Sequence, residues 1–386
     1  MANLVAFRGV KAITGPAGKT AATTAMKSGG YYSASTRGAK DVIDNASGML
    51  LEAVAALPDP APGRAIQIAD FGAADGGTSK KAIRDTVAAI KDRFPGRQVL
   101  VTYTDLASND FSTLFKSMQG LDGQTENTYL KEFDGVFVHA CGIGFHRQLL
   151  PDQTLDLGFS ATAMHYVSEK PCEIPNHVHM VGAEGDALEA FAEQAAADWE
   201  RILLARAKEL VPGGRLVFMN FAKDEEGRYL GGTGGVDMFD TFDRLWRAMA
   251  DMGRIGHAEY INATFSQFYR TKEEFSAPLV DETSDVYKAG LRLISAHTGL
   301  VKCPYRAAFE AAGGKMTARE FAVSYIPTLR SWSETVFASA LDDSRSADER
   351  AAIVDEFYQN YEDLVADEPE GHAMDYVHCY LAIEKV

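Results

Sequence analysis

The side chains best placed for chemistry in this 386-residue sequence are acids gathered around glycines rather than a set of nucleophiles and bases. The stretch 66–79, I-Q-I-A-D-F-G-A-A-D-G-G-T-S, sets Asp70 and Asp75 beside Gly72, Gly76 and Gly77. A glycine turn lets a ligand approach the backbone closely, and the free N–H groups of a following helix offer it donors. The G-x-G-x-x-G pattern of dinucleotide sites is missing, because its second glycine falls on Ala74, so a dehydrogenase is disfavoured. The two acids would repel a pyrophosphate, whereas a cation carrying ribose hydroxyls and an amino-acid end would tolerate them. S-adenosylmethionine has those features. No convincing nucleophile–histidine–acid triad is present, and Gly15 to Thr20, G-P-A-G-K-T, is half a phosphate loop whose first glycine would fall on Ile13.

The elements that must position these acids follow from periodicity. Ile66, Ile68, Ala69 and Phe71 read as a buried strand, and Ile83, Val87, Ile90 and Phe94 as one face of the helix after the turn. A second strand fits Val99 to Tyr103 and ends in Asp105-Leu106, where an acid is placed to accept from ribose hydroxyls or, equally, to cap a helix. A third covers Gly135 to His139, followed by Gly142-Ile-Gly144-Phe145, and residues 159–168 span a fourth with its turn. Leu188, Phe191, Ala195, Trp199, Ile202 and Leu210 mark a long amphipathic helix, stopped by Pro212-Gly213-Gly214 ahead of a strand at 215–219. Beyond residue 222 the alternation fades into helical pieces and aromatics, then returns with a helix through Ile353, Phe357, Tyr361 and Leu364 and a strand from Asp375 to Ile383. The expected division is a mobile arm over 1–28, an α/β core over 29–222 and 342–386, and a helical cap over 223–341.

Charge and cysteine usage narrow the class. The net charge of 38 − 54 = −16, without a long basic run, argues against nucleic acid or an anionic membrane as the main partner. Cys141, Cys172, Cys303 and Cys379 stand in no metal-ligand or disulfide-dense pattern, so a reducing cytoplasm and no metal centre are expected. No apolar run reaches the roughly 18 to 20 residues of a membrane span, and no signal-peptide core is evident at the N-terminus.

Six stretches together resemble the SABATH family of plant-type S-adenosylmethionine-dependent carboxyl methyltransferases. They are A-D-F-G-A-A-D-G-G-T-S at 69–79, T-D-L-A-S-N-D-F-S-T-L-F at 104–115, G-I-G-F-H-R-Q-L-L-P at 142–151, A-M-H-Y-V-S-E-K-P at 163–171, E-L-V-P-G-G-R-L-V at 209–217, and Phe265 to Glu274. The resemblance implies a Rossmann-like class I methyltransferase sheet with a mostly helical cap, S-adenosylmethionine as cofactor, a small carboxylic acid as substrate, and a homodimer. Matched by position, Asp70 and Gly72 would hold the methionine end of the cofactor, Asp105 and Leu106 the ribose and one side of the adenine, and Gly144 and Phe145 the adenine slot. Tyr32 and Thr36 would close over cofactor and substrate. Thr78 and Gly144 stand where the family has asparagine and serine.

The substrate clamp departs further. The family's clamping glutamine falls on Ala39, its tryptophan on Tyr166, and a tyrosine one turn earlier on Thr162. His165 and Tyr166 would face the substrate, a satisfied structural pair being the bland alternative. Lys27 and Arg37 are candidate replacement cations, although cations in an arm are commonly just solvated. Trp246 and Phe265, with Tyr260, Phe268 and Trp332, would form the apolar wall of the cap or else its packing core. The expected reaction is methyl-ester formation without a general base. Its rivals are N-methylation of a xanthine-type heterocycle and a cofactor-binding protein that has lost catalysis.

Overall fold

In the computed structural model, which describes residues 36–121 and 128–386, the stretch around Ile66 forms the strand on which the sheet turns. The expected arm, Lys27 within it, and Tyr32 lie outside the described residues. Strands β1 (Ile66–Phe71), β2 (Val99–Thr104), β3 (Val136–Cys141), β4 (Leu155–Ala161), β5 (Leu210–Lys223), β6 (Arg270–Thr271), β7 (Leu291–Val301) and β8 (Tyr376–Lys385) make one sheet. Its order is β3-β2-β1-β4-β5-β8-β7, with the short β6 beside β5. The first five strands run parallel, and β8 is antiparallel to both β5 and β7. Strand β1 pairs with β2 on one side and β4 on the other. The chain thus leaves β1 in one direction and returns past it in the other, and the loops at these carboxyl ends part to leave a crevice.

Local sequence explains the elements around that crevice. Five of the six residues in each of β1 (I-Q-I-A-D-F) and β2 (V-L-V-T-Y-T) are buried, Asp70, Thr102 and Thr104 among them, as in strands covered on both faces. Helix Lys80–Arg93 buries Ala82, Ile83, Thr86, Val87 and Ile90 on one face and places Lys91 and Arg93 in its last turn, where cations favour the helix dipole. Helix Gly185–Glu209 crosses behind the sheet and buries Phe191, Trp199, Ile202 and Leu203.

Three boundaries differ from the sequence reading. Strand β4 starts at Leu155, and residues 162–168 are the turn after it. Strand β5 starts at Leu210, directly after the helix, so Pro212-Gly213-Gly214 lies within it; the register against β4 slips between Leu155 and Leu157, and Gly213 has φ +80°. Strand β7 falls inside the span read as a helical cap, and helices Lys272–Val280 and Asp285–Lys288 pack with it and with helix Gly185–Glu209. The helical layer above the crevice is built from Met238–Asp251, His257–Asn262, Ala318–Ala340 and Ala347–Asp367, so the last of these belongs with the cap helices. The two long ones each begin with a reciprocal capping box, Thr317 with Glu320 and Ser346 with Glu349. Among the described residues no helix is long and apolar enough to cross a membrane, and no group of acids, histidines and cysteines could hold a metal ion. All four cysteines are free thiols.

Candidate active site

Loops from the carboxyl ends of β1 to β4 converge on a cavity of about 400 Å³. After β1 come Gly72, Ala73, Ala74 and Thr78; after β2, Asp105 and Leu106; after β3, Gly144, Phe145, His146 and Arg147; after β4, Thr162, Ala163 and Tyr166 to Ser168. Six of the residues expected to bind the cofactor, Gly72, Thr78, Asp105, Leu106, Gly144 and Phe145, therefore share one wall system.

The glycine turn has the backbone its sequence demands. Gly72 has φ +81°, and a Cβ there would stand 2.4 Å from the Cβ of Ala163 on the next loop. Gly72→Ala is expected to cost on the order of 3 kcal/mol, from a left-handed backbone and a clash together. Gly96→Ala, at φ +78° with nothing within 4 Å, isolates the backbone part and should cost only about 1 kcal/mol. Urea unfolding of both variants checks the difference, and equal losses would show that the contact with Ala163 is immaterial. Two non-glycine residues of the same wall, Ala74 and Thr162, also have positive φ, 49° and 57°. A β-branched residue in that region is held there by its surroundings.

Asp105 fastens two loops to each other. Its Oδ2 accepts from the N–H of Ala74 at 2.7 Å and its Oδ1 from the N–H of Leu106 at 2.7 Å. It is not a helix cap, because Asp110 caps helix Phe111–Met118 by accepting from the N–H of Thr113. Asp70 stands one layer further in and does not line the cavity, which corrects the expected direct contact. Its carboxylate accepts from the Ser79 hydroxyl at 2.6 Å. Burial pushes Asp70 up to about 7, partly offset by that hydrogen bond, with nearby Asp105 raising it further. Burial also raises Asp105, against the opposing hydrogen bonds from Ala74 and Leu106.

Two buried arginines hold the remaining loops, and the sequence reading missed both. Arg206 donates to the carbonyls of Phe145 and Arg147, each at 2.9 Å, and to Glu209, whose Oε1 accepts from the N–H of Leu149 at 2.6 Å. Its guanidinium also lies 4.4 Å from the Phe71 ring centre. The signal was an arginine three and four residues after Leu203 and Ile202, on the buried face of its helix. Arg270 donates to the carbonyls of Met164 and Ala195, while Asn220 Oδ1 accepts from the N–H of Met164 at 3.0 Å. Asp198 takes the backbone N–H and hydroxyl of Ser168 at 2.7 and 2.8 Å. These bonds fix the turn that carries Thr162, His165 and Tyr166.

A recess of about 20 Å³ adjoins the cavity, and Thr162 and Tyr166 border both spaces. Thr36, His165, Phe221, Gln267, Trp332, Met374 and Tyr376 complete its lining. Thr36 and His165 thus lie at the recess and not in the main cavity. Buried His165 is held well below the ordinary histidine range, and its Nδ1 has no hydrogen-bond partner among the described residues. Ala39 lines the main cavity, but Arg37, at the start of its helix, is exposed and lines neither space. Trp246 and Phe265 need correction: both are fully buried inside the cap and border neither space. Trp246 packs against Phe337 and Phe357 at ring distances of 4.9 and 5.4 Å, and Phe265 stacks on Phe242. Of the five cap aromatics read from the sequence, Trp332 faces the recess.

The wall suits a cation with hydroxyl groups. Asp105 lines it and Asp70 backs it, while its two arginines, Arg147 and Arg201, come from the loop after β3 and from helix Gly185–Glu209 rather than from the glycine turn. Leu106 and Phe145 offer apolar surface for a flat ring, and a Cβ on Gly144 would already stand 3.3 Å from Leu106.

Known proteins share this architecture. A solved loganic acid methyltransferase bound to S-adenosylhomocysteine superposes with a TM-score of 0.69 over 93% of this chain and 98% of its own, at 19% identity. Farnesoic acid carboxyl-O-methyltransferase of Arabidopsis thaliana is 26% identical over 196 residues, 47% of this chain and 50% of the relative. Gibberellic acid methyltransferase 1 of the same plant is 26% identical over 242 residues, 55% of this chain and 61% of the relative. The chain thus aligns with about half to three-fifths of the length of these relatives. The family described as SAM dependent carboxyl methyltransferase matches residues 23–386, and the chain belongs to that family.

Proposed function

We propose that this protein transfers the methyl group of S-adenosylmethionine to the carboxylate of a small organic acid, forming its methyl ester. The observation that carries the reading is the convergence of Gly72, Asp105, Leu106, Gly144 and Phe145, from three separate strand ends, on one cavity beside the Thr162–Tyr166 wall. Asp105 would accept from the ribose hydroxyls, Leu106 and Phe145 would flank the adenine, and the backbone around Gly72 would receive the amino-acid end, with Asp70 behind it as counter-charge.

Bound there, the cofactor supplies an electrophilic methyl carbon on a sulfonium, which a carboxylate oxygen takes in line while the S–C electron pair stays on sulfur. A carboxylic acid of pKa about 4 is already ionised at neutral pH, so the protein has no proton to remove. Its work is to orient the acceptor oxygen and exclude water. Neutral donors suit this task. The negative charge of the acceptor is reduced in the transition state, so a cation bonded to it would stabilise the ground state more. Thr162 at the junction and His165 at the recess supply such uncharged groups, and the recess, at about 20 Å³, has room for a group the size of one carboxylate oxygen while the larger cavity would take the rest of the acid.

The test is transfer of labelled methyl from S-adenosylmethionine to a panel of aromatic, isoprenoid, fatty and multi-carboxylate acids together with xanthines. A base-labile product is expected. Label only in a base-stable product would replace the reading with nitrogen or ether methylation, and cofactor binding with no transfer to any member would favour a lost activity. A cytoplasmic homodimer is the accompanying expectation, checked by fractionation and by sedimentation of the purified protein.

A further inference from the structure

One hydrogen-bonded couple at the junction includes a histidine to which the reaction outlined above gives no role. Thr162 borders both cavities, and its Oγ1 lies 3.1 Å from Nε2 of His378, which stands 216 positions later in the chain. His378 sits on β8 opposite Phe221 of β5 and Gly299 of β7, fully buried, with the Phe221 ring 4.5 Å from its own. Burial drives its pKa down to about 3, so near neutral pH the ring carries one N–H and one lone pair. Its Nδ1 has no hydrogen-bond partner among the described residues.

That asymmetry selects a tautomer. A proton on Nδ1 would leave a buried N–H without an acceptor; a proton on Nε2 leaves only a lone pair unmatched, the lesser penalty. The Nε2–H then donates to Thr162 Oγ1, and the proton of the threonine hydroxyl must point to another acceptor. The backbone of Thr162 is fixed as well, by its positive φ and by its N–H bond to the Met219 carbonyl at 2.7 Å.

We propose that His378 is a positioning residue that turns the Thr162 hydroxyl into a fixed hydrogen-bond donor for the substrate's acceptor oxygen. This rests on the carboxylate-methylating reading above. It defines a clamp made of a neutral couple, one member from the turn after β4 and the other from β8.

Two experiments test it. In protein carrying 15N-labelled histidine and saturated with S-adenosylhomocysteine, the His378 ring, assigned by its loss in His378→Gln, is expected as the Nε2–H tautomer across neutral pH. An Nδ1–H tautomer overturns the proposal and leaves the ester reading intact, since no acceptor acid is needed for the measurement. The second uses as probe the panel acid that the wild-type protein esterifies fastest. Thr162→Val and His378→Leu should each lower kcat/KM about 10-fold, mainly through KM for the acid, and the double variant should lose no more than either single one. Cofactor affinity should stay unchanged, and Thr162→Ser and His378→Gln, which keep a donor at each place, should stay within about 3-fold. Losses that multiply, or an equal loss of cofactor affinity, overturn the proposal. If His378→Leu does not fold, the comparison of His378→Gln with the shorter His378→Asn replaces it, and equal activity of those two overturns the proposal in the same way. Absence of esterification across the whole panel would instead remove the reading beneath it, while the ring tautomer still decides the couple.

Discussion

Asp105→Ala is expected to weaken S-adenosylmethionine binding at least about 100-fold, measured by titration calorimetry. A charged acceptor for sugar hydroxyls contributes roughly 1.5–3 kcal/mol per bond, and this carboxylate does a second job. It ties the N–H of Ala74, in the glycine turn, to the N–H of Leu106, in the loop after β2, both at 2.7 Å. Alanine would remove the ligand's acceptor and also free the two loops that form the opposite sides of its seat. Asp105→Asn separates the effects, because the amide oxygen keeps one acceptor and gives up the charge; it should fall between wild type and alanine. Affinity of Asp105→Ala within a few-fold of wild type would refute the assignment of Asp105 to the cofactor.

Asp70→Asn should stabilise the cofactor-free protein at alkaline pH and have little effect in acid. The carboxyl titrates near 7 in the folded protein against an ordinary value of 3.8. Between those values the folded protein holds a proton that the unfolded chain has released. The raised pKa therefore contributes stability that is complete below about pH 4 and gone once the pH has passed 7. Above that point the buried carboxylate costs the native state on the order of 4 kcal/mol, a burden asparagine escapes while its side-chain oxygen still accepts from Ser79. Thermal melts should show the gap between variant and wild type widening by about 2 kcal/mol from pH 5.5 to pH 8. Saturation with S-adenosylmethionine should narrow it, because a bound cation favours the ionised carboxyl. A gap independent of pH would mean that Asp70 is ionised throughout.

Glycine chemistry explains why the cavity wall after β1 was legible from sequence. The turn at 72–77 depends on conformations open to few residues, and the strand before it and helix after it are recognised by local periods. The resemblance also singled out Thr162 and Tyr166, as substrate-facing residues, and both line the same cavity as the turn. The two arginines that hold the loops were harder to see, since Arg206 and Arg270 act through carbonyl groups of segments distant in the chain. Trp246 and Phe265 show a different limit: an aromatic residue is recognisable as apolar, but its sequence does not say whether its face adjoins a cavity or another ring. Strand β7 escaped because an edge strand exposed in part can carry Arg292, Ser295, His297 and Thr298, which blur the alternation that marks buried strands. His378 was beyond reach for the reason that long-range pairs generally are, namely that nothing near it in the chain refers to Thr162.

The place of β8 between β5 and β7 bears on how the protein is made. Ribosomes deliver residues 210–223 and 291–301 before 376–385, yet the later strand must enter between the two earlier ones. Until it emerges, β5 presents an open row of backbone donors and acceptors and β7 has no strand to pair with, the condition in which nascent chains join wrong partners. The sheet therefore closes only after most of the chain has been synthesised, through contacts of very long sequence separation, and such closures are slow. Because His378 arrives on that same strand, a nascent chain cannot assemble its Thr162 couple early, and completion of that couple is tied to the last topological step of biogenesis.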